Sequence, residues 1–266
     1  MMPIFSANLS MLFQEYPFKQ RFEQAHLAGF THIECLFPYE ESIAFLQQEL
    51  QQNKLHFSLF NAPAGNWENG ERGFAAIEQY RERFKDSIEQ ALEYAVALGC
   101  QKIHVMAGSL DRDSELTFSD KTFIENIRYA AKVFKPYGID VLVEPLNQRD
   151  NPNYYLRDFH KAVELLDQIQ CENVKLQFDF YHAQIIHGDV TQLFERYCKQ
   201  VGHIQIASVP FRHEPNSGEL NDTYIFNLIE KKNYQGQIGC EYRPKTTTRA
   251  GLSWLNNYQH SSKGTL

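Results

Sequence analysis

The sequence predicts an α/β fold, a single (β/α)8 TIM barrel, and three observations carry that prediction. Eight short apolar stretches alternate with helical patterns along the chain, with no linker and no shift in composition between them. Strict alternation implies parallel strands joined by helical crossovers. Four polar residues each close one of the later strands: Glu144 after Val141-Leu142-Val143, Asp179 after Leu176-Gln177-Phe178, Gln205 in His203-Ile204-Gln205-Ile206, and Glu241 after Ile238-Gly239-Cys240. Their intervals of 35, 26 and 36 residues are each the length of a strand plus its return helix. The chain's 266 residues also suit one barrel, which takes about 250. A doubly wound open sheet is the alternative, and the lack of Gly-x-Gly-x-x-Gly after the first strand counts against it.

In order, strand one is expected at 5–12 and a helix at 18–28; strand two at 32–36 and a helix at 41–52. Strand three, 56–60, leads into a long loop at 61–73 that is rich in Gly and Asn and carries Trp67. The helix at 75–98 places Ile77, Tyr80, Phe84, Ile88, Leu92 and Ala95 at helical spacing. Strand four is 102–106, residues 111–117 read as a polar loop, and Ser119 is an N-cap for the next helix. Strand five ends at Glu144 and precedes a loop at 147–155 and a helix at 158–168. Strand six ends at Asp179, with a helix at 189–197; strand seven is 203–207, followed by a long loop through Pro210 and Pro215 and a helix at 223–232. Strand eight ends at Glu241 and the last helix is 247–255. A glycine marks several of the helix-to-strand turns (Gly29, Gly99, Gly138, Gly202, Gly236), because glycine accepts the left-handed conformation that ends helices. The barrel is expected to span 1–258, with 259–266 a flexible C-terminal tail.

Composition narrows the function. With 43% hydrophobic residues the chain can build a sizeable core, and its net charge of −7 with no basic tract argues against a nucleic-acid or anionic-membrane partner. Five scattered cysteines without a Cys-x-x-Cys read as reduced thiols in a cytoplasmic protein. The N-terminus lacks a basic segment followed by an apolar one, and no run approaches the roughly 18 apolar residues of a membrane span. The expected partner is a small-molecule substrate; homo-oligomerisation is left open.

Burying a lone carboxylate is costly, so four such residues on consecutive strands read as one site. Three carboxylates and an amide oxygen facing one another repel unless a cation sits among them, and oxygen ligands suit a hard divalent metal. The expected ligands are Glu144, Asp179, Gln205 and Glu241. His182 follows Asp179 by three residues and Arg212 follows Gln205 by seven, close enough to contact substrate. Glu34 has the parity to face inward as a weaker candidate, whereas His32 and His104 read as core histidines. Two carboxylates flanking a metal suit proton transfer between adjacent carbons of a hydroxy ketone, an aldose–ketose isomerisation through an enediolate. Hydrolysis by metal-bound hydroxide would use the same parts.

Several stretches together resemble the hydroxypyruvate isomerase family, within the xylose-isomerase-like barrel superfamily, over nearly the whole chain. They include Asn61-Ala62-Pro63-Ala64-Gly65-Asn66-Trp67, Gly70-Glu71-Arg72-Gly73, Glu144-Pro145-Leu146-Asn147, Gln177-Phe178-Asp179-Phe180-Tyr181-His182, Gly202-His203-Ile204-Gln205-Ile206-Ala207 and Cys240-Glu241-Tyr242-Arg243-Pro244. The resemblance implies interconversion of hydroxypyruvate and tartronate semialdehyde, with Glu144 and Glu241 as the catalytic proton donor and acceptor. From the related sugar epimerases it implies a divalent metal on Glu144, Asp179, Gln205 and Glu241. Those epimerases usually have His where this chain has Gln205; the harder amide oxygen favours Mg²⁺ or Mn²⁺ over Zn²⁺. Phe211 and Asn153 stand where the family is expected to have Gly, which leaves substrate range open. The family also holds 2-oxo-tetronate isomerases, and the superfamily holds DNA-repair phosphodiesterases, which would want more histidines and a basic face. A substrate carboxylate needs a cation, and Arg212 and Arg72 are the candidates, since the guanidinium fork suits two-point contact. The 61–73 loop, with Trp67 to cover the site, reads as a lid.

Overall fold

The computed structural model describes residues 3–110 and 117–259. The expected polar loop, except Thr117, and the expected tail, except Gln259, lie outside the described residues.

Apolar residues at alternate positions drive eight parallel strands to close into one barrel in chain order. They are β1 (Ile4–Asn8), β2 (His32–Cys35), β3 (His56–Asn61), β4 (Lys102–His104), β5 (Asp140–Val143), β6 (Val174–Asp179), β7 (Val201–Ile206) and β8 (Gln237–Cys240). β8 pairs back onto β1, from Ile4 opposite Gln237 to Ala7 opposite Cys240, so the sheet has no free edge. The helices are α1 (Phe18–Leu27), α2 (Ile43–Gln52), α3 (Arg81–Leu98), α4 (Asp120–Phe134), α5 (Phe159–Ile169), α6 (Phe180–Ile186), α7 (Val190–Tyr197), α8 (Asp222–Lys231) and α9 (Asn256–Gln259).

The period-two geometry of β6 shows how the strands serve two cores at once. Phe178 points outward, with its ring 4.9 Å from that of Phe159 on α5 and 5.2 Å from that of Phe194 on α7. Its neighbours Gln177 and Asp179 point inward and carry polar groups into the barrel. Two register irregularities fall beside inward-facing polar residues: between Ile33 and Glu34 in the β2–β3 pair, and between Leu176 and Gln177 in the β6–β7 pair.

Besides shifts of about two residues at element ends, such as β4 stopping at His104, the structure departs from the expected elements in four places. Strand one stops at Asn8, because the amides of Met11 and Leu12 fold back onto the Asn8 carbonyl at 3.0 and 2.8 Å. The third helix begins at Arg81, after a 3₁₀ turn at Glu78–Tyr80. Residues before that turn are tied across to the segments after β4, with Gly73 bridging Ala107 and Ile77 bridging Phe118. Gly73 has φ +98°, and a Cβ there would lie 2.2 Å from the Met106 carbonyl oxygen, so the approach requires glycine. A helix absent from the sequence reading, α6, starts directly after β6 with Asp179 as its N-cap. The last expected helix is a 3₁₀ segment, Arg249–Leu255, followed by α9.

Candidate active site

The C-terminal ends of the strands open into a cavity of about 350 Å³. Glu144, His182, Arg212 and Glu241 line it, together with Asn61, His104 and Met106 from the β3–β4 side and Trp67 and Arg72 from the loop after β3. This is the end of a (β/α)8 barrel where active sites are built.

Each acidic group has a distinct set of partners. Glu144 accepts from Gln177 Nε2 at 2.9 Å through Oε2, while its Oε1 is buried and unpartnered. Asp179 uses Oδ1 to cap α6, accepting from the Tyr181 amide at 2.8 Å, which leaves Oδ2 facing Arg212 and His182. Asp179 Oδ2 accepts no hydrogen bond and lies 3.5 Å from Arg212 Nη2. Glu241 Oε1 accepts from Asn8 Nδ2 at 3.3 Å, and its Oε2 is paired with Arg212 Nη2. Arg212 also donates through Nε to the Glu241 carbonyl at 3.3 Å and lies over the Tyr181 ring. It holds this place with a left-handed backbone, φ +57°.

Burial pushes all three acids up. Glu144 stands well above the ordinary carboxylate range because it is buried and faces the charges of Glu241 and Asp179. Burial raises Asp179 and Glu241 each to about 7, with Arg212 pulling both back down. Three crowded carboxyls with one counter-ion are short of positive charge.

The expected ligands are not arranged alike. Glu144, Asp179 and His182 place ligand atoms within 4.8 Å of one another. His182, however, accepts from the Asn147 backbone amide through Nδ1 at 3.0 Å, so the hydrogen of its neutral ring sits on Nε2. Burial and the charge of Arg212 hold its pKa well below the usual value, which keeps the ring neutral. Nε2–H is a donor aimed toward Asp179 and the cavity, which suits a substrate contact and not a metal ligand. Gln205 is drawn into a network inside the barrel: its Nε2 donates to Glu34 Oε1 at 2.8 Å and its Oε1 accepts from Gln177 Nε2 at 2.7 Å. Glu34 in turn pairs with His203 Nε2 at 2.8 Å and accepts from Asn8 Nδ2 at 3.2 Å. Gly239 makes room for it, since a Cβ there would stand 2.4 Å from both Glu34 carboxylate oxygens. Glu144 Oε1 and Asp179 Oδ2, buried and accepting no hydrogen bond, are hard donors that fit a divalent cation, with Glu241 and the Gln205 amide oxygen, which keeps a second lone pair beside the bond from Gln177, as further oxygens.

Arg72 is engaged within its own loop. Its Nη1 donates to the carbonyls of Trp67 and Glu71, each at 2.8 Å, and its guanidinium stacks 3.6 Å from the Trp67 ring centroid. Trp67 packs edge-on against Phe37 at 5.3 Å.

The family model described as xylose isomerase-like TIM barrel matches residues 22–258. The chain belongs to the xylose isomerase-like TIM barrel family. Two curated relatives extend the match to nearly full length. A hydroxypyruvate isomerase of Escherichia coli (strain K12) is 44% identical, covering 96% of this chain and 99% of its own. A 2-oxo-tetronate isomerase of Cupriavidus necator is 45% identical, covering 97% of this chain and 99% of its own. Among solved structures, one described as an AP endonuclease, family 2, from Brucella melitensis superposes with TM-score 0.92 at 47% identity, covering 97% of this chain and 99% of that one.

Against this xylose isomerase-like frame, the residues nominated from the sequence fall into place unevenly. Glu144, His182, Arg212 and Glu241 converge on the cavity, with Asp179 behind them against Arg212 and His182; Trp67 and Arg72 reach the rim; Gln205 lies deeper, bound to Glu34 and Gln177. His104, read from the sequence as a core histidine, is buried but lines the cavity, 3.6 Å from Glu144 Oε2. The signal was thin: His104 closes β4, but only Lys102 and Ile103 precede it there, not an apolar run like the one that singled out Glu144. Gln177, missed as well, lies two residues before Asp179 and so shares its inward face.

Proposed function

We propose that this chain is an isomerase of small 2-oxo hydroxy acids, interconverting hydroxypyruvate and tartronate semialdehyde. The observation that carries the reading is that Glu144 and Glu241 face one buried cavity from β5 and β8, a paired-carboxylate arrangement. The names of two near-full-length relatives support the same class of reaction.

The reaction moves one carbon-bound proton. A carboxylate takes a proton from the hydroxyl-bearing carbon, giving an enediolate. A carboxyl returns a proton to the neighbouring carbon, and the hydroxyl proton passes to the former keto oxygen. Glu241, beside Arg212, suits the ionised partner; Glu144, deeper and facing Asp179, suits the second proton carrier. His182 Nε2–H is placed to donate to a substrate oxygen, and Arg212 to balance the substrate carboxylate. A divalent cation, Mg²⁺ or Mn²⁺, held by Glu144, Asp179, Glu241 and the Gln205 amide oxygen, would acidify the transferred proton by polarising the hydroxy ketone. Arg72 and Trp67 form the rim over the substrate.

A small-molecule substrate, no nucleic-acid or membrane partner, and a cytoplasmic setting belong to the same proposal. The five cysteines are all free, and no helix among the described residues is long and apolar enough to cross a membrane. The phosphodiesterase reading draws on the Brucella structure's description, but a net charge of −7 gives little attraction for a polyanion. The second relative favours 2-oxo-tetronate as an alternative substrate. Assaying purified protein on hydroxypyruvate and 2-oxo-tetronate side by side tests the reading: turnover of one or both is expected, and turnover of neither rejects it.

A further inference from the structure

The surroundings of His104 place its ring proton. Nδ1 lies 3.2 Å from Asn61 Oδ1 and 3.6 Å from Glu144 Oε2. That glutamate oxygen already accepts from Gln177, so both neighbours of Nδ1 are acceptors. The hydrogen therefore sits on Nδ1 and the lone pair on Nε2. Nε2 is buried and has no partner, in a residue that lines the cavity. His182 has the opposite arrangement, with its lone pair on Nδ1 and its hydrogen on Nε2. The cavity thus holds one buried histidine acceptor and one buried histidine donor, flanking Glu144.

A 2-oxo hydroxy acid matches that pair. Its keto and carboxylate oxygens only accept, while its hydroxyl can donate. We propose that His104 is a specificity-determining residue, accepting a hydrogen bond from the substrate hydroxyl at Nε2 while His182 donates to an accepting oxygen of the same substrate. This rests on the isomerase reading above. It also orients the substrate. The hydroxyl faces β4, and the carboxylate, which has no hydrogen to offer His104, turns toward Arg212 beyond β7.

The test uses pyruvate, which has the keto acid but lacks the hydroxyl, as a competitive ligand of the purified full chain assayed with Mg²⁺. The wild type is expected to have a pyruvate Ki well above its KM for hydroxypyruvate. His104→Phe is expected to lower kcat/KM for hydroxypyruvate roughly tenfold or more, mainly through KM, while pyruvate Ki stays within about twofold. His104→Gln, which keeps an acceptor near the Nε2 position, is expected to recover most of the loss. Equal losses on both ligands, or no loss on either, would overturn the assignment. So would a wild type that binds pyruvate as tightly as hydroxypyruvate, a measurement that needs no variant to fold. Turnover with an unchanged ratio overturns the role of His104 alone; a wild type inactive on hydroxypyruvate and 2-oxo-tetronate overturns the isomerase reading along with it.

Discussion

Arg212 donates through Nη2 to the carboxylate of Glu241 and through Nε to the carbonyl of the same residue. The glutamate proposed to move a proton therefore carries its counter-ion with it, and that counter-ion also stands 3.5 Å from Asp179. Lysine is a point charge and cannot reproduce the two-point contact. Arg212→Lys is expected to raise KM for the keto acid by roughly fivefold or more, with little change in thermal stability. Unchanged KM would leave the substrate carboxylate to some other cation.

Arg72 makes the weaker case, because its guanidinium is committed to the Trp67 and Glu71 carbonyls and to the Trp67 ring. Arg72→Lys is expected to raise KM by a smaller factor than Arg212→Lys, through a loosened rim. Steady-state kinetics on the two variants in parallel gives the order, and a larger effect at Arg72 would reverse the assignment.

If Glu144 and Glu241 are the proton carriers, Glu144→Gln and Glu241→Gln should each lower kcat by roughly 100-fold or more with the circular dichroism spectrum unchanged. The amide keeps the shape and removes the titrating group. Near-normal turnover in either variant would take that residue out of the reaction.

Crowding of Glu144, Asp179 and Glu241 leaves Glu144 Oε1 and Asp179 Oδ2 buried without a hydrogen bond, which a divalent cation would relieve. Exhaustive chelation is expected to abolish activity, with recovery on adding Mg²⁺ or Mn²⁺. Mn²⁺ affinity, read directly by titration, should fall in Asp179→Asn. Full activity in chelated protein would reject the metal.

Away from the site, Asp222 in the first turn of α8 accepts from the Asn216 amide at 2.6 Å but leaves Oδ1 buried and unpartnered. Burial raises its pKa from 3.8 to about 6. A raised carboxyl pKa means its favourable contribution is complete below about pH 4 and is lost as pH rises through about 6. Asp222→Asn is expected to gain on the order of 1–3 kcal/mol over the wild type at pH 8, and much less at pH 4.5. Denaturant titrations at the two pH values compare them; an equal difference at both would show that ionisation of Asp222 is not the source.

The architecture was legible because it rests on local properties of the chain. Apolar runs of strand length, helical spacing and glycine turns recur in order, and they locate eight strands whatever the partners turn out to be. The polar residues ending β5, β6 and β8 were found the same way, since a carboxylate closing an apolar strand stands out without any knowledge of its neighbours. Helix α6 escaped because Phe180-Tyr181-His182 follows the strand without a break, and its N-cap is Asp179, a residue already claimed by the site. What each polar atom faces was decided by barrel closure. Glu34 meets Gln205 across 171 residues of chain, His104 meets Asn61 across 43, and His182 meets Asn147 across 35. Those encounters turn Gln205 toward the barrel interior and make one histidine an acceptor and the other a donor. A residue's type and its strand parity are written in the sequence. Its tautomer, its free lone pair and its counter-ion depend on atoms brought within about 3 Å by the closed sheet, and no local pattern carries that information.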